Sequence, residues 1–282
     1  MPASFATMAM DFYLPLAEKI AVWSVAHDGP LVVGVNGAQG TGKSTLSKVL
    51  ALALGQGHQR RCAVLSIDDI YLTKAERRQL ADGIHPLLAT RGVPGTHDVS
   101  MGCNLINRFK NQQPVTLPVF DKSVDDRAPE GQWVSHLEPV DIVLFEGWCV
   151  GATAQVENDL VQPVNHLEKN EDAGACWRKY ANDQLNGPYA ELFAHIDRLV
   201  MLKAPGFDCV HQWRSTQEEK LRLKSDSAHT NNALMDEQQI ERFIMHYERI
   251  TRWMLAEMPG RADCVLELNP GHQVTKSTYT TT

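Results

Sequence analysis

The stretch Gly37-Ala38-Gln39-Gly40-Thr41-Gly42-Lys43-Ser44 constrains this chain more than any other. It satisfies G-x-x-x-x-G-K-[ST] and lies between an apolar run and a helical pattern, the context that motif requires. The run before it, Leu31-Val32-Val33-Gly34-Val35, is too short for a helix and rich in β-branched residues, so it reads as a buried parallel strand. Thr45 to Leu54 reads as a helix, ended by Gly55 and Gly57. Strand, glycine-rich turn and helix in this order make a loop whose backbone N–H groups point inward, and the helix N-terminus adds partial positive charge. Such a site binds a nucleoside triphosphate. Gly37, Ala38, Gln39, Gly40, Thr41, Gly42, Lys43, Ser44 and Thr45 form the phosphate cradle. Lys43 is expected to reach the β and γ phosphates, and the Ser44 hydroxyl to complete a Mg²⁺ shell.

The same alternation recurs along the chain. Cys62 to Ile67, Val140 to Phe145, Arg198 to Lys203 and Cys264 to Leu268 are further buried apolar runs. Helical patterns cover Phe12 to Ala26, Val99 to Phe109, Gly174 to Leu185, Phe207 to Leu223 and Glu237 to Met258. In the last, Asp236 and Gln239 suit a capping box, Met235 and Ile240 a hydrophobic staple, and Ile240, Phe243, Ile244, Tyr247, Ile250 and Met254 make one stripe. This order predicts an α/β fold of three layers, a mostly parallel central sheet with helices on both faces. His85 to Asp98 and Pro114 to Pro139 are rich in Gly, Pro and charge and read as irregular insertions over the carboxyl ends of the strands, where ligands bind. No linker divides residues 1–282, so one domain is expected, with a frayed Thr-rich tail at about 274–282.

Composition narrows the functional classes. With 27 basic against 34 acidic residues the formal charge is −7, which argues against a general nucleic-acid binder. Six cysteines lie at least 27 positions apart, without the close spacing of a zinc or redox pair, as expected of scattered thiols in a reducing compartment. No apolar run is long enough to span a membrane, and the N-terminus lacks a signal-peptide pattern, so a cytoplasmic location without membrane partners is expected.

Two further strand ends carry acids. Val143-Leu144-Phe145-Glu146-Gly147 delivers one carboxylate suited to orienting the metal, though a strand-end Glu can also be simply solvated. Ser66-Ile67-Asp68-Asp69-Ile70-Tyr71 delivers two. One can accept the proton of an attacking hydroxyl and the other can order Mg²⁺ water or substrate, while Asp69 can equally cap the next helix.

These blocks come in a fixed order with Arg91-Gly92, Gly95-Thr96-His97-Asp98, Pro118-Val119-Phe120-Asp121-Lys122-Ser123 and Leu144-Phe145-Glu146-Gly147-Trp148. That order resembles the plant and fungal type of D-glycerate 3-kinase, over roughly Leu31 to Leu268. The wider group of uridine kinase, phosphoribulokinase and pantothenate kinase shares the phosphate loop, the strand-end Asp and a lid. The resemblance implies transfer of the γ-phosphoryl of ATP, with Mg²⁺, to a hydroxyl of D-glycerate or a similar hydroxy acid. It makes Asp68 the general base and Glu146 a metal-side residue beside Ser44 and Asp69. It puts Arg91, His97, Asp98, Asp121 and Lys122 on the acceptor side.

An acceptor carboxylate needs fixed cations, and Arg91, Lys122 and Arg127 are those available in the two irregular stretches. His97 can bond an acceptor hydroxyl or serve as an ordinary loop histidine. Arg214, with Arg222 second, is the expected lid cation for transition-state charge, unless it belongs to a plain charged helix face. A nucleoside kinase, a pantothenate kinase and a P-loop ATPase acting as a switch are the rival readings. Sequence leaves the oligomeric state open.

Overall fold

The computed structural model describes residues 3–214, 216 and 237–280. Asp236 and Met235, expected at the start of the last helix, and Arg222 lie outside the described residues. Ten strands are described: β1 Leu31–Gly37, β2 Cys62–Ser66, β3 Val115–Leu117, β4 Phe120–Asp121, β5 Asp126–Arg127, β6 Val134–His136, β7 Ile142–Gly147, β8 Arg198–Lys203, β9 Cys264–Leu268 and β10 Val274–Tyr279. The helices are α1 Ala3–Met8, α2 Leu14–Ala26, α3 Lys43–His58, α4 Lys74–Gly83, α5 Val99–Lys110, α6 His166–Glu171, α7 Cys176–Asn186, α8 Pro188–Phe193, α9 at 207–214 and α10 Glu237–Glu257.

Six strands form the central sheet in the order β10-β9-β8-β1-β7-β2, parallel except for β10. Successive side chains of a strand leave on opposite faces, and the strands are apolar throughout, so both faces must be covered. Val32, Val143, Phe145 and Met201 meet Ile106 of α5, Tyr189 and Leu192 of α8, and Ile250 and Met254 of α10. Val33, Val35, Leu144 and Val200 meet Leu16 and Ile20 of α2, Leu46, Leu50 and Leu54 of α3, and Val210 of α9. This is the expected three-layer α/β arrangement. It also positions the site: β7 and β8 flank β1 on opposite sides, so the chain order reverses at β1 and opens a crevice at its carboxyl end.

Several local expectations need correction. Helix α3 runs through Gly55 and Gly57 to His58 and ends at Gln59, with φ 53°. Its buried leucine face supplies more than the roughly 1 kcal/mol that an interior Gly costs. In α2 the buried face is Leu16, Ala17, Ile20, Ala21 and Ser24, while Leu14, Val22 and Val25 face outward. The tail residues Val274 to Tyr279 form a strand, because β10 pairs antiparallel with β9 from Val274↔Leu268 to Tyr279↔Cys264. Its β-branched residues suit an edge strand. The stretch Pro114 to Pro139 contains two antiparallel pairs, β3 with β6 and, between them in the chain, the small hairpin of β4 with β5. Helix α4 escaped the periodicity reading, although Thr73 and Glu76 form a reciprocal capping box that was visible as T-x-x-E. All six cysteines are free thiols. Among the described residues no helix is long and apolar enough to cross a membrane.

Candidate active site

The phosphate loop joins β1 to α3 at the sheet's reversal point. Gly40 and Gly42 have φ of 82° and 89°, left-handed values that L side chains rarely adopt. A Cβ at Gly40 would also come within 2.8 Å of Trp213 Cβ. The Thr41 hydroxyl donates to the Ala38 carbonyl at 2.8 Å, which closes the turn. Below it, the buried Asn36 side chain donates to the carbonyls of Trp148 and Val150 at 3.2 and 2.9 Å, locking β1 to the segment after β7.

Parallel registry brings Glu146 beside Val35, and its Oε1 accepts the Ser44 hydroxyl at 2.7 Å. Glu146 is buried, and its Oε2 has no hydrogen-bond partner among the described residues. A buried orphan carboxylate oxygen beside a hydroxyl is a hard-oxygen pair suited to Mg²⁺. Among the described residues no cluster of three or more His, Cys, Asp or Glu side chains could hold a metal.

A four-residue 3₁₀ turn, Ile67–Ile70, follows β2 and carries both aspartates. Asp68 lines a cleft of about 390 Å³ together with Gln39, Gly40, Gly42, Lys43, Ser44, Thr45, Lys122, Trp213, Arg214, Thr216 and His272. Its Oδ1 accepts the Tyr71 hydroxyl at 3.1 Å and its Oδ2 accepts the Lys122 ammonium at 2.6 Å. Burial pushes the Asp68 carboxyl up, but the charges of Lys122 and Lys43 and the Lys122 hydrogen bond outweigh it and hold the group at about 2. Asp69 turns elsewhere: its Oδ1 accepts the Phe120 amide at 3.2 Å and ties the end of β2 to β4. Burial raises its carboxyl to about 6; the Phe120 amide works against the shift, and the charges of Asp68 and Glu146 reinforce it.

The acceptor-side residues divide into those that line the cleft and those that brace it. Arg91 pairs with Asp125 and lies over the Phe120 ring. Arg127 donates to the Tyr71 carbonyl at 2.9 Å and to Asp98 Oδ2 at 3.0 Å. The other oxygen of Asp98 caps α5 by accepting the Met101 amide. Asp121 accepts the Ser123 amide and hydroxyl across a tight turn. Arg91, Arg127, Asp98 and Asp121, expected at the acceptor, are thus engaged with protein groups, and only Lys122 of that set lines the cleft. His97 is buried and stacks on Tyr71 with ring centroids 4.3 Å apart. Its Nδ1 bonds the Tyr189 hydroxyl at 2.5 Å, its Nε2 has no hydrogen-bond partner among the described residues, and burial lowers its pKa to about 3. Arg214 reaches the cleft wall and lies over the Phe243 ring at 5.4 Å.

The separate sequence blocks therefore lie in and around one cleft. An uncharacterized kinase, mug58, of Schizosaccharomyces pombe is 35% identical over 230 residues, covering 77% of this chain and 78% of that protein. The chloroplastic D-glycerate 3-kinase of Arabidopsis thaliana is 29% identical over 274 residues, covering 89% of this chain and 56% of that protein. The chain belongs to the same family of P-loop kinases as the Schizosaccharomyces pombe protein, and it is similar to D-glycerate 3-kinases. A solved D-glycerate 3-kinase from Cryptococcus neoformans shares its fold, with a TM-score of 0.75 at 24% identity, over 94% of this chain and 99% of that one. No protein-family profile matches the chain.

As a member of this P-loop kinase family, the protein is an ATP-dependent phosphotransferase with an alcohol acceptor. Around this kinase cleft the sequence reading missed three residues. Arg77 is fully buried, donating to the Leu72 carbonyl at 2.6 Å and to the backbone and carboxylate of Asp125 at 2.9 and 2.7 Å. Nothing local marks it, since an Arg on a charged helix is usually solvated. Trp213 packs against Gly40, donates its indole N–H to the Pro270 carbonyl at 2.8 Å, and lies 4.2 Å from the exposed His272 ring. Both rings line the nucleotide side of the cleft, and only the fold brings residues 213 and 272 together.

Proposed function

We propose that the protein phosphorylates a hydroxyl of D-glycerate or a closely similar small hydroxy acid, using ATP and Mg²⁺. The observation that carries this reading is the placement of Asp68 across the cleft from Lys43, with Lys122 on its outward oxygen. The N–H groups of the loop Gly37 to Ser44 and the start of α3 hold the triphosphate, and Lys43 adds a mobile cation to the transferring end. Ser44 and Glu146 would hold Mg²⁺, which when bound supplies positive charge to the phosphates. Asp68 takes the proton of the acceptor hydroxyl, Tyr71 fixes the carboxylate from its buried side, and Arg214 is the lid-side cation for charge spread over the moving phosphoryl. Lys122 supplies the cation for the acceptor carboxylate, and Arg91 and Arg127 brace the loops that present it.

The test is a panel assay. Purified protein is incubated with ATP, Mg²⁺ and one acceptor at a time from hydroxy acids, nucleosides and pantothenate, and ADP release and the phosphorylated product are followed. D-Glycerate should accelerate release and yield a phosphoglycerate. Acceleration by nucleosides or pantothenate alone would overturn the acceptor, and acceptor-independent hydrolysis without any phosphorylated product would favour a switch ATPase.

A further inference from the structure

The two oxygens of Asp68 are held in different ways. Oδ1 accepts from Tyr71, which is 3% exposed and stacked on His97. Oδ2 accepts from Lys122, whose side chain is 58% exposed on the β4–β5 hairpin. The first contact is built into the core, whereas the second is made by a flexible four-carbon stem. A general base must offer an oxygen to the acceptor's hydroxyl proton, and its power follows its basicity. An ammonium 2.6 Å away takes up one direction of the outward oxygen and weakens the whole carboxylate as a base.

The hairpin is anchored around this lysine. Asp125 is held by Arg77 and Arg91, and Arg127 by Asp98 and the Tyr71 carbonyl. These contacts engage the two arginines that would otherwise meet an acceptor carboxylate. Lys122 differs from them, because its carboxylate partner is the base itself. A small anionic acceptor entering the cleft brings a second carboxylate within reach of the same ammonium. Exchange of one carboxylate for the other leaves the ammonium paired throughout, whereas a neutral acceptor offers it nothing in return.

Resting on the hydroxy-acid kinase reading with Asp68 as base, we propose that Lys122 is a specificity-determining latch. It masks Asp68 until the carboxylate of an anionic acceptor draws it away, so the acceptor's charge is read as turnover and not as affinity alone. The unmasked Asp68 takes the hydroxyl proton as the acceptor oxygen bonds to the γ-phosphorus. The bond from that phosphorus to the β–γ bridging oxygen breaks, and its electron pair leaves with ADP.

The experiment compares wild type and Lys122→Met on D-glycerate and on its neutral amide, glyceramide, and measures ATP hydrolysis without acceptor. Wild type should turn over glyceramide roughly tenfold or more below D-glycerate at saturation, since the masked base stays weak. In Lys122→Met the KM for D-glycerate should rise about tenfold, from loss of a charge-assisted contact. The kcat for glyceramide should rise instead, closing the kcat ratio to within about threefold. Acceptor-free hydrolysis should rise several-fold in Lys122→Met and not in Lys122→Met with Asp68→Asn, because the freed carboxylate then accepts a proton from water. If no hydroxy acid is phosphorylated yet hydrolysis follows this pattern, the acceptor assignment and the specificity role fall together, and only the masking of Asp68 by Lys122 stands. The latch is overturned if hydrolysis does not rise, or if Lys122→Met slows glyceramide in step with D-glycerate; Lys122 would then only bind the acceptor.

Discussion

Trp148 donates its indole N–H to the Gly92 carbonyl at 2.9 Å, tying the segment after β7 to the loop that carries Arg91. Tyr247 of α10 grips the same loop from another side. Its hydroxyl donates to the Arg91 carbonyl at 3.1 Å, and its ring meets Trp148 edge-on at 4.9 Å. Trp148→Phe keeps most of the ring but leaves the Gly92 carbonyl without its donor. A buried acceptor left unpaired costs about 1–3 kcal/mol, so the variant should unfold at lower urea with an unchanged m-value.

Asp68→Asn keeps the shape of the side chain and can still accept the Tyr71 hydroxyl, but it cannot take a proton. Its kcat should fall by roughly 10²–10⁴-fold while ATP still binds. ATP affinity by calorimetry and turnover by ADP release separate the two effects. An active Asp68→Asn would move the base elsewhere.

Ser44 Oγ and Glu146 Oε1 lie 2.7 Å apart although 102 positions separate them in the chain. Ser44→Ala and Glu146→Gln should each raise the Mg²⁺ concentration needed for half-maximal activity. Lys43→Ala should instead lower ATP affinity at saturating Mg²⁺. Titrations of Mg²⁺ at fixed ATP, and of ATP at fixed Mg²⁺, distinguish them.

Asp69 makes a prediction about stability. Its carboxyl is raised to about 6 in the fold, by burial first, and ionises near 3.9 in an unfolded chain. A raised carboxyl favours the fold fully below the unfolded value, and that contribution is lost as pH rises through 6. Asp69→Asn stays neutral and can still accept the Phe120 amide. Its Tm should match wild type near pH 3.5, gain on it between about pH 4 and 6, and hold the gain above that. Parallel melting curves across this range would expose the Asp69 role as wrong.

How far the residues spoke for themselves depends on the range of the interactions. Residues Gly37 to Ser44 are legible because a left-handed turn at Gly40 and Gly42, followed by a helix start, is a local backbone requirement written in neighbouring letters. The buried strands are legible for the same reason, since unbroken apolar runs need cover on both faces wherever they lie. The T-x-x-E of Thr73 and Glu76 was equally local, and it was lost among the charges of α4.

The division of labour around the acceptor was a different matter. Sequence named Arg91, Arg127, Asp98 and Lys122 as charges near one site. It could not tell that Arg127 would be paired to Asp98, or Arg91 to Asp125, while Lys122 met Asp68. A charge has no periodicity, and its partner is whichever opposite charge the fold delivers within a few ångströms. Arg77, Trp213 and His272 were silent for the same reason. The sequence by itself determined the phosphate loop, the three-layer sheet and the strand-end acids, all of which follow from backbone sterics and burial over a few residues. Tertiary structure alone decided which cations brace the cleft and which one faces the base, because pairing is settled by distances between elements that the chain order leaves far apart.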